Sequence, residues 1–300
     1  MILRQATTLR TIIAQVPRYI SRLGDSPGWL PMYVLARWMP ARKAHWLIAR
    51  TPQASFPKSS LFPDVDYRSA VAGLRREGIF TGITLPSHIC KAIDAFASAN
   101  SCFDSSDRSF EFLPSEHQEA EQRFNRMIPF GTYLEKIQEC KAAREVLTDP
   151  LLESIAAHYL GGQARLAGMR LWWSFPGESS ALGDRNLTEY HFDLLDWRMI
   201  KFFFYIRAVD EGTGPHAYVR GSHRQRALRY QLTPYIGHPI EDVLKEYGRD
   251  RQLILLGSAG FGFVEDPFGF HIGMAAQRTA RLVLEVSFGV SRPSPRRFYG

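Results

Sequence analysis

Within the stretch TEYHFDLLDW, His191 and Asp193 have the residue types and the spacing to hold a metal ion together. Side chains two apart on an extended backbone point to the same side, so an imidazole and a carboxylate placed this way can share one cation. With a second histidine they would make a facial set of two histidines and one carboxylate. That set leaves three positions of an octahedron open and suits non-haem Fe(II). The chain has nine histidines. His45, His88, His117 and His158 lie in a helix-rich part, while His216, His223, His238 and His271 follow the His191–Asp193 pair. His271, in VEDPFGFHIG, stands ten residues before Arg281. An arginine fork beside such a site suits a carboxylate-bearing cosubstrate, because it can bind both carboxylate oxygens at once.

These residues need elements to position them. Tyr67 to Glu77 has a helical pattern, Gly78 to Thr84 (GIFTGIT) reads as a short strand, and Leu85-Pro86-Ser87 opens a helix to about Ala99, with proline near the first turn. Residues 100–125 are polar and read as a loop. Helical stretches are expected around Leu134–Leu147 and Leu151–Tyr159. After Gly162 the period shortens. Ala164 to Phe175 is strand-like, Pro176 to Leu187 a polar loop, and Met199 to Val209 a strand rich in Phe and Tyr. Glu211 to Pro215 is a turn, Ala217 to Arg220 a short strand, and residues 224–250 a helical or irregular insertion. Leu253–Leu256 and Phe261–Glu265, around the turn Gly257–Gly260, predict a hairpin. Arg281 to Phe288 alternates and is expected to close the sheet. Many short strands after a block of helices predict a mainly β fold with flanking helices (α+β), a sandwich or barrel.

The 300 residues contain 45% hydrophobic residues, enough for a sizeable core. The net charge of +7 is uneven. Residues 1–63 hold nine Lys and Arg against one acid, Asp25, giving +8, so the remaining 237 residues sum to −1. A basic body would have suggested a nucleic-acid groove, and this distribution argues against one. Cys90, Cys102 and Cys140 show no C-x-x-C spacing; a sparse, odd count fits a reducing, cytoplasmic compartment. No stretch of ~20 residues is apolar enough to span a bilayer. The acid-free segment Met1 to Leu23 admits three readings: a helix packed on its own domain, which we favour, an amphipathic helix on a membrane surface or partner, or an organellar presequence. Three prolines in residues 51–66 mark a boundary. The expected division is a basic, helical extension, 1–63, and a main domain, 64–300.

The ordered set H-x-D, KFFFYIRAVDEGTGPHAYVRGSH, GSAGFGFVEDPFGFH and Arg281 resembles the phytanoyl-CoA dioxygenase family of Fe(II)/2-oxoglutarate oxygenases. The likeness covers roughly residues 67–290 and includes the helix, GIFTGIT strand and Leu85-Pro86 helix start. It implies a double-stranded β-helix, or jelly roll, of cupin type. It also implies Fe(II) with 2-oxoglutarate and O2 as cosubstrates, and hydroxylation of a small organic molecule with release of succinate and CO2. By the same resemblance His191, Asp193 and His271 match the iron ligands. Arg281, rather than Arg278, matches the arginine that meets the far carboxylate of 2-oxoglutarate, and Lys201, a lone charge among phenylalanines, is placed near that cosubstrate. Asp193 argues against halogenation, since related halogenases carry a small residue there.

Plainer readings stand beside these. His191 and Asp193 could form a hydrogen-bonded pair that supports the core; His223 reads as a turn histidine, His216 as structural or at the pocket mouth, and Asp266 as a turn former. Trp172 and Trp173, near Arg170, read as core or pocket lining, and Phe192, Phe202, Phe204 and Trp172 are expected to wall the site. A cupin-like metal enzyme of another class, such as a hydrolase or isomerase, and a non-catalytic ligand-binding relative are the alternatives. Residues 1–63 could make peripheral membrane or protein contacts. The sequence specifies neither the substrate nor the oligomeric state.

Overall fold

The computed structural model describes residues 28–50, 52, 57–162, 164–177, 188–233 and 237–291. The segment Met1 to Leu23 and most of the Pro176–Leu187 loop lie outside the described residues. Among the described residues two short helices come first, α1 (Trp29–Leu35) and α2 (Met39–Leu47), followed by α3 (Tyr67–Glu77), strand β1 (Ile79–Thr84) and α4 (Ser87–Ala99). The chain continues with β2 (Cys102–Asp104), β3 (Asp107–Phe112), α5 (His117–Phe124), β4 (Phe130–Thr132), α6 (Lys141–Leu147), α7 (Pro150–Leu160) and β5 (Arg165–Ser174). Then come β6 (Glu189–Tyr190), β7 (Met199–Tyr205), β8 (His216–Val219), α8 (Leu228–Leu232), β9 (His238–Pro239), α9 (Ile240–Tyr247), β10 (Gln252–Leu255), β11 (Phe261–Glu265), β12 (His271–Gly273) and β13 (Arg281–Gly289).

Local chemistry accounts for the helix α3 that leads into the sheet. Asp66 caps its N-terminus by accepting from the backbone N–H groups of Arg68 and Ser69 at 3.2 and 3.1 Å. Gly78 ends it with φ +81, the left-handed turn that glycine adopts without a steric cost. A side chain there would also meet the hydroxyl of Tyr218 at 2.3 Å.

The large sheet runs β1-β11-β7-β13-β5-β4-β2-β3. Opposite it stand two small sheets, β10-β8-β12 and β6-β9, linked by an antiparallel bridge between His191 and His271. All the pairings are antiparallel. Helices α3, α4, α6 and α7 cover the outer face of the large sheet, where Phe202, Phe204, Leu284 and Trp173 join their apolar sides in one core. Each fully buried phenylalanine there contributes about 2 kcal/mol. On the other side, Met32 and Met39 of α1 and α2, with Ala36 between them, pack with Tyr190, Phe192, Phe268 and Phe270. The result is sheet-rich with flanking helices, as expected.

Three expectations need correction. Residues 100–125 are not a loop: they contain β2, β3 and α5, because Cys102, Asp104 and Phe112 are buried where the segment adds two strands at one end of the large sheet, and α5 is a mostly exposed helix. Residues 253–265 are not a hairpin. Strand β10 pairs with β8, whereas β11 pairs with β1 and β7. The turn between them crosses from one sheet to the other: Val209 bridges Gly257, and Gly260 donates to Tyr205 O at 2.7 Å. Finally, β13 does not close the sheet but lies inside it, between β7 and β5. Every residue of β7 and β13 is buried, since helices cover one face and the facing sheets the other.

Candidate metal centre

The geometry of the candidate metal set is fixed by backbone pairing. His191 and His271 exchange reciprocal N–H···O bonds, each 2.9 Å, and Asp193 N–H donates to Pro267 O at 2.7 Å. The segment that carries the H-x-D pair is thereby laid against the segment that carries the distal histidine. One ligand atom from each of His191, Asp193 and His271 lies within 4.8 Å of the others. Nδ1 of His271 faces Gly269 O at 3.0 Å, and Nδ1 of His191 faces Glu189 O at 3.4 Å. A ring that donates from Nδ1 to a carbonyl keeps its proton there and leaves the Nε2 lone pair for a metal. His271 Nε2 is 4.0 Å from Asp193 Oδ2. Burial pushes the His271 imidazole down to about 4, so it stands neutral at ordinary pH, the form that ligates. The donor set therefore fits a divalent cation.

Two carboxylates and a lysine surround the set. Lys201 Nζ donates to Asp193 Oδ2 at 2.8 Å and stands 3.6 Å from Glu285 Oε1. Burial works to raise the Asp193 carboxyl, but Lys201 foremost, then His271 and His191, outweigh it and hold the group well below its usual range. Burial likewise opposes the Lys201 charge, yet Asp193 and Glu285 carry its titration above the ordinary lysine value. Behind His271, Glu265 Oε2 lies 2.9 Å from His216 Nε2. Burial pushes Glu265 up to about 7, and burial, with Arg281, pushes His216 well below its ordinary value.

His191, Asp193, Lys201, His216, His271 and Glu285 line a cavity of about 510 Å³, with Glu265 behind them. Its apolar wall includes Trp172, Phe203, Tyr205 and Phe263. Of the expected wall, only Trp172 is there. Phe202 and Phe204 face the helices, and Phe192 packs behind the small sheet with Phe268 and Phe270. The reason is the period of two: Lys201 faces the cavity, so Phe203 and Tyr205 must, and Phe202 and Phe204 cannot. Arg281 lines the same cavity. One end of its guanidinium donates to Gly214 O and the other to Ser174 Oγ at 3.3 Å, while its buried Nε has no partner. Arg278 points outward, exposed and paired with Asp210 at 3.2 Å.

No protein-family model matches the chain, and no curated protein matches it in sequence. Solved structures do match. HygX from Streptomyces hygroscopicus, with nickel and 2-oxoglutarate bound, aligns with a TM-score of 0.52 at 11% identity, over 75% of this chain and 87% of that one. HygX with nickel, 2-oxoglutarate and hygromycin B gives 0.52 at 12% identity over the same shares. AviO1 from Streptomyces viridochromogenes gives 0.49 at 16% identity, over 77% of this chain and 98% of that one. This chain shares the HygX fold.

The sequence reading missed several charged groups of the site. Glu265 and Glu285 are single acids in otherwise apolar strands, the same signal that marked Lys201 in β7. His216 is not at the mouth but buried inside, on Glu265. Arg170 stacks over Trp172 at 5.0 Å, and both line the cavity, whereas Trp173 belongs to the helix-covered core. His223 and His238 lie elsewhere: His238 packs against Tyr230, and His223 lines a different pocket. Asp266 is a turn former as expected, accepting from Phe268 N–H at 2.9 Å. The three cysteines are free and buried.

Proposed function

We propose that this chain is an Fe(II)- and 2-oxoglutarate-dependent dioxygenase on a double-stranded β-helix, related to the phytanoyl-CoA dioxygenase family. It would hydroxylate a small organic substrate and release succinate and CO2. The observation that carries this reading is the convergence of His191, Asp193 and His271 within 4.8 Å, in a cavity that Arg281 also lines. HygX, whose fold the chain shares, holds nickel and 2-oxoglutarate, which supports the same ligands here.

Charge balance supports the pairing of cation and cosubstrate. A divalent ion and a dianionic 2-oxoglutarate add no net charge to a cavity whose lining already mixes cations (Arg108, Arg170, Lys201, Arg281) with carboxylates (Asp104, Asp193, Glu285). His191, Asp193 and His271 would hold the ion on one side, leaving adjacent positions for the cosubstrate and O2. The unpartnered Nε of Arg281, with Ser174 Oγ beside the guanidinium, would take the far carboxylate. Iron with 2-oxoglutarate and O2 supplies the oxidising chemistry; the chain supplies position and a wall of Trp172, Phe203, Tyr205 and Phe263 that keeps water out. Lys201 keeps Asp193 ionised and oriented.

The test is anaerobic titration of the purified chain with Fe(II) and 2-oxoglutarate, read by the metal-to-ligand charge-transfer band, followed by succinate release in air. His191→Ala and Asp193→Ala should abolish the band and the succinate. Arg281→Ala should keep Fe(II) binding but weaken 2-oxoglutarate by roughly 30-fold or more, the loss expected when one partner of a buried charge pair is removed. Unchanged succinate release in either ligand variant would overturn the site; full turnover in Arg281→Ala would favour a metal enzyme of another class.

A further inference from the structure

A second cavity, about 550 Å³, lies where α2 meets the body of the protein, and the chemistry above makes no use of it. Its charge is one-sided. Arg42, Lys43, Arg50, Arg75 and Arg224 line it against one carboxylate, Asp266, a net of +4. Arg42 is buried and bound to Asp266 at 3.3 Å. The other four cations are exposed, come from three separate parts of the chain, and have no acidic partner among the described residues. Convergent cations without counter-charges repel one another, and an anion relieves that repulsion. At the base, His223 is 7% exposed. The Arg75 backbone lies beside its ring, yet neither ring nitrogen has a hydrogen-bond partner of acceptable geometry. A buried polar group left in this way calls for a partner.

The remaining lining is mixed: His158 and Gln225 are polar, and the rest is mainly apolar. Met39 and Trp46 come from α2, and Tyr159 from α7. Lys43 and Leu47 are four apart on α2, so they share one side of the helix. Leu47 is 86% exposed and the neighbouring Ile48 67%. Six of the eleven exposed large apolar side chains among the described residues, Leu30, Val34, Leu35, Trp38, Leu47 and Ile48, fall between residues 30 and 48, outside the cavity lining itself.

We propose that this cavity is a second ligand site for a phosphate ester, whose anion is held by Lys43, Arg50, Arg75 and Arg224 over His223 and whose apolar part rests on Trp46. Guanidinium forks match phosphate oxygens in pairs, and the volume suits a small organic ligand. Exposed apolar side chains beside the cations are the pattern of a surface that meets lipid headgroups. That makes a phospholipid the favoured source, with a free phosphate ester the other.

The experiment uses the full chain, with sedimentation on phosphatidylcholine vesicles with and without phosphatidylglycerol, and calorimetric titration with glycerol 3-phosphate. The exposed variants Lys43→Glu/Arg50→Glu and, on a separate element, Arg224→Glu are compared with the parent chain, and circular dichroism confirms their folding. Binding to the anionic vesicles alone, weakened about tenfold or more by the double variant and weakened by Arg224→Glu, supports the site with lipid as its source. Binding of glycerol 3-phosphate without vesicle binding, lost in the same variants, supports it with a soluble ligand. No binding in either arm, or vesicle binding that both variants retain, overturns it.

Discussion

Asp193 serves two neighbours at once. It is the one carboxylate of the candidate metal set, and it accepts from Lys201 at 2.8 Å. Lys201 and Glu285 are buried and Asp193 is half-buried beside them, so the three charges balance one another as a group. Truncating the lysine leaves two carboxylates without their cation, and breaking a buried pair costs about 3–5 kcal/mol. Lys201→Met is therefore expected to lower metal-free stability by that amount in urea denaturation at neutral pH. Mn(II) should stabilise the variant more than the parent, because the ion replaces the missing charge. The sign with pH follows from the low Asp193 titration: the pair's contribution is present at neutral pH and is lost as pH falls through the acid range. Equal metal-free stability of variant and parent would show that Lys201 does not support the site. At this scale the sequence was partly legible. His191 and Asp193 announced themselves by a spacing of two, and Lys201 by standing alone among phenylalanines. Glu265 and Glu285 carry the same mark but are not legible by it, because a single acid in a strand more often faces water than a buried lysine or histidine.

Strand β7 divides the chemistry from the core. Its alternate residues face opposite ways, so Lys201, Phe203 and Tyr205 look into the cavity and Phe202 and Phe204 into the helix layer. The same substitution on adjacent residues should then have unlike effects. Phe204→Ala leaves a hole in close-packed core and should cost about 3–5 kcal/mol, read from the denaturation midpoint. Phe203→Ala enlarges a cavity that is already open; it should cost clearly less and shift which ligands the cavity accepts, read by thermal-shift screening. Equal losses would contradict the assigned faces. The run Met199 to Ile206, apolar but for Lys201, does not reveal which face is which, since both are buried; Lys201 is the one residue in it that marks the cavity face. The 253–265 error has a related cause. Two strands about a glycine turn can pair with each other or pass to facing sheets, and the local sequence is the same for both. Bonds from distant residues, Tyr205 and Val209, hold the turn in the crossing position.

Across the whole molecule, the first helices are tied to the site's supporting loop by one buried charge. Arg42 reaches Asp266 at 3.3 Å, donates to Trp197 O at 2.8 Å and lies 3.8 Å from the ring centre of Phe268. Asp266 also accepts from Tyr159 at 2.8 Å, and it directly follows Glu265, which sits behind the metal set. The loop from Glu265 to His271 therefore touches the candidate metal centre on one side and α2 on the other. Arg42→Ala should cost about 3–5 kcal/mol, as for any buried pair that loses one member, whereas Arg50→Ala, on the exposed rim, should stay within about 0.5 kcal/mol. Denaturation of both variants checks this, and equal small losses would mean that α2 adds nothing to the body's stability. The described residues contain no helix long and apolar enough to cross a membrane.

What the sequence determined by itself was periodic and local. The helices at 67–77 and 87–99, the strands at 165–174 and 199–205, the H-x-D spacing and the uneven charge all follow from residue types a few positions apart. Only the tertiary structure decided which strands become neighbours, which face of β7 meets the cavity, that Lys201 answers Asp193 and Glu285, and that four exposed cations from three parts of the chain surround one pocket. Those outcomes depend on backbone bonds and charges between residues far apart in sequence, and no short-range pattern encodes such distances. The pair at 191 and 193 needed both kinds of information: spacing offered the ligands, and pairing with the strand of His271 placed the third beside them.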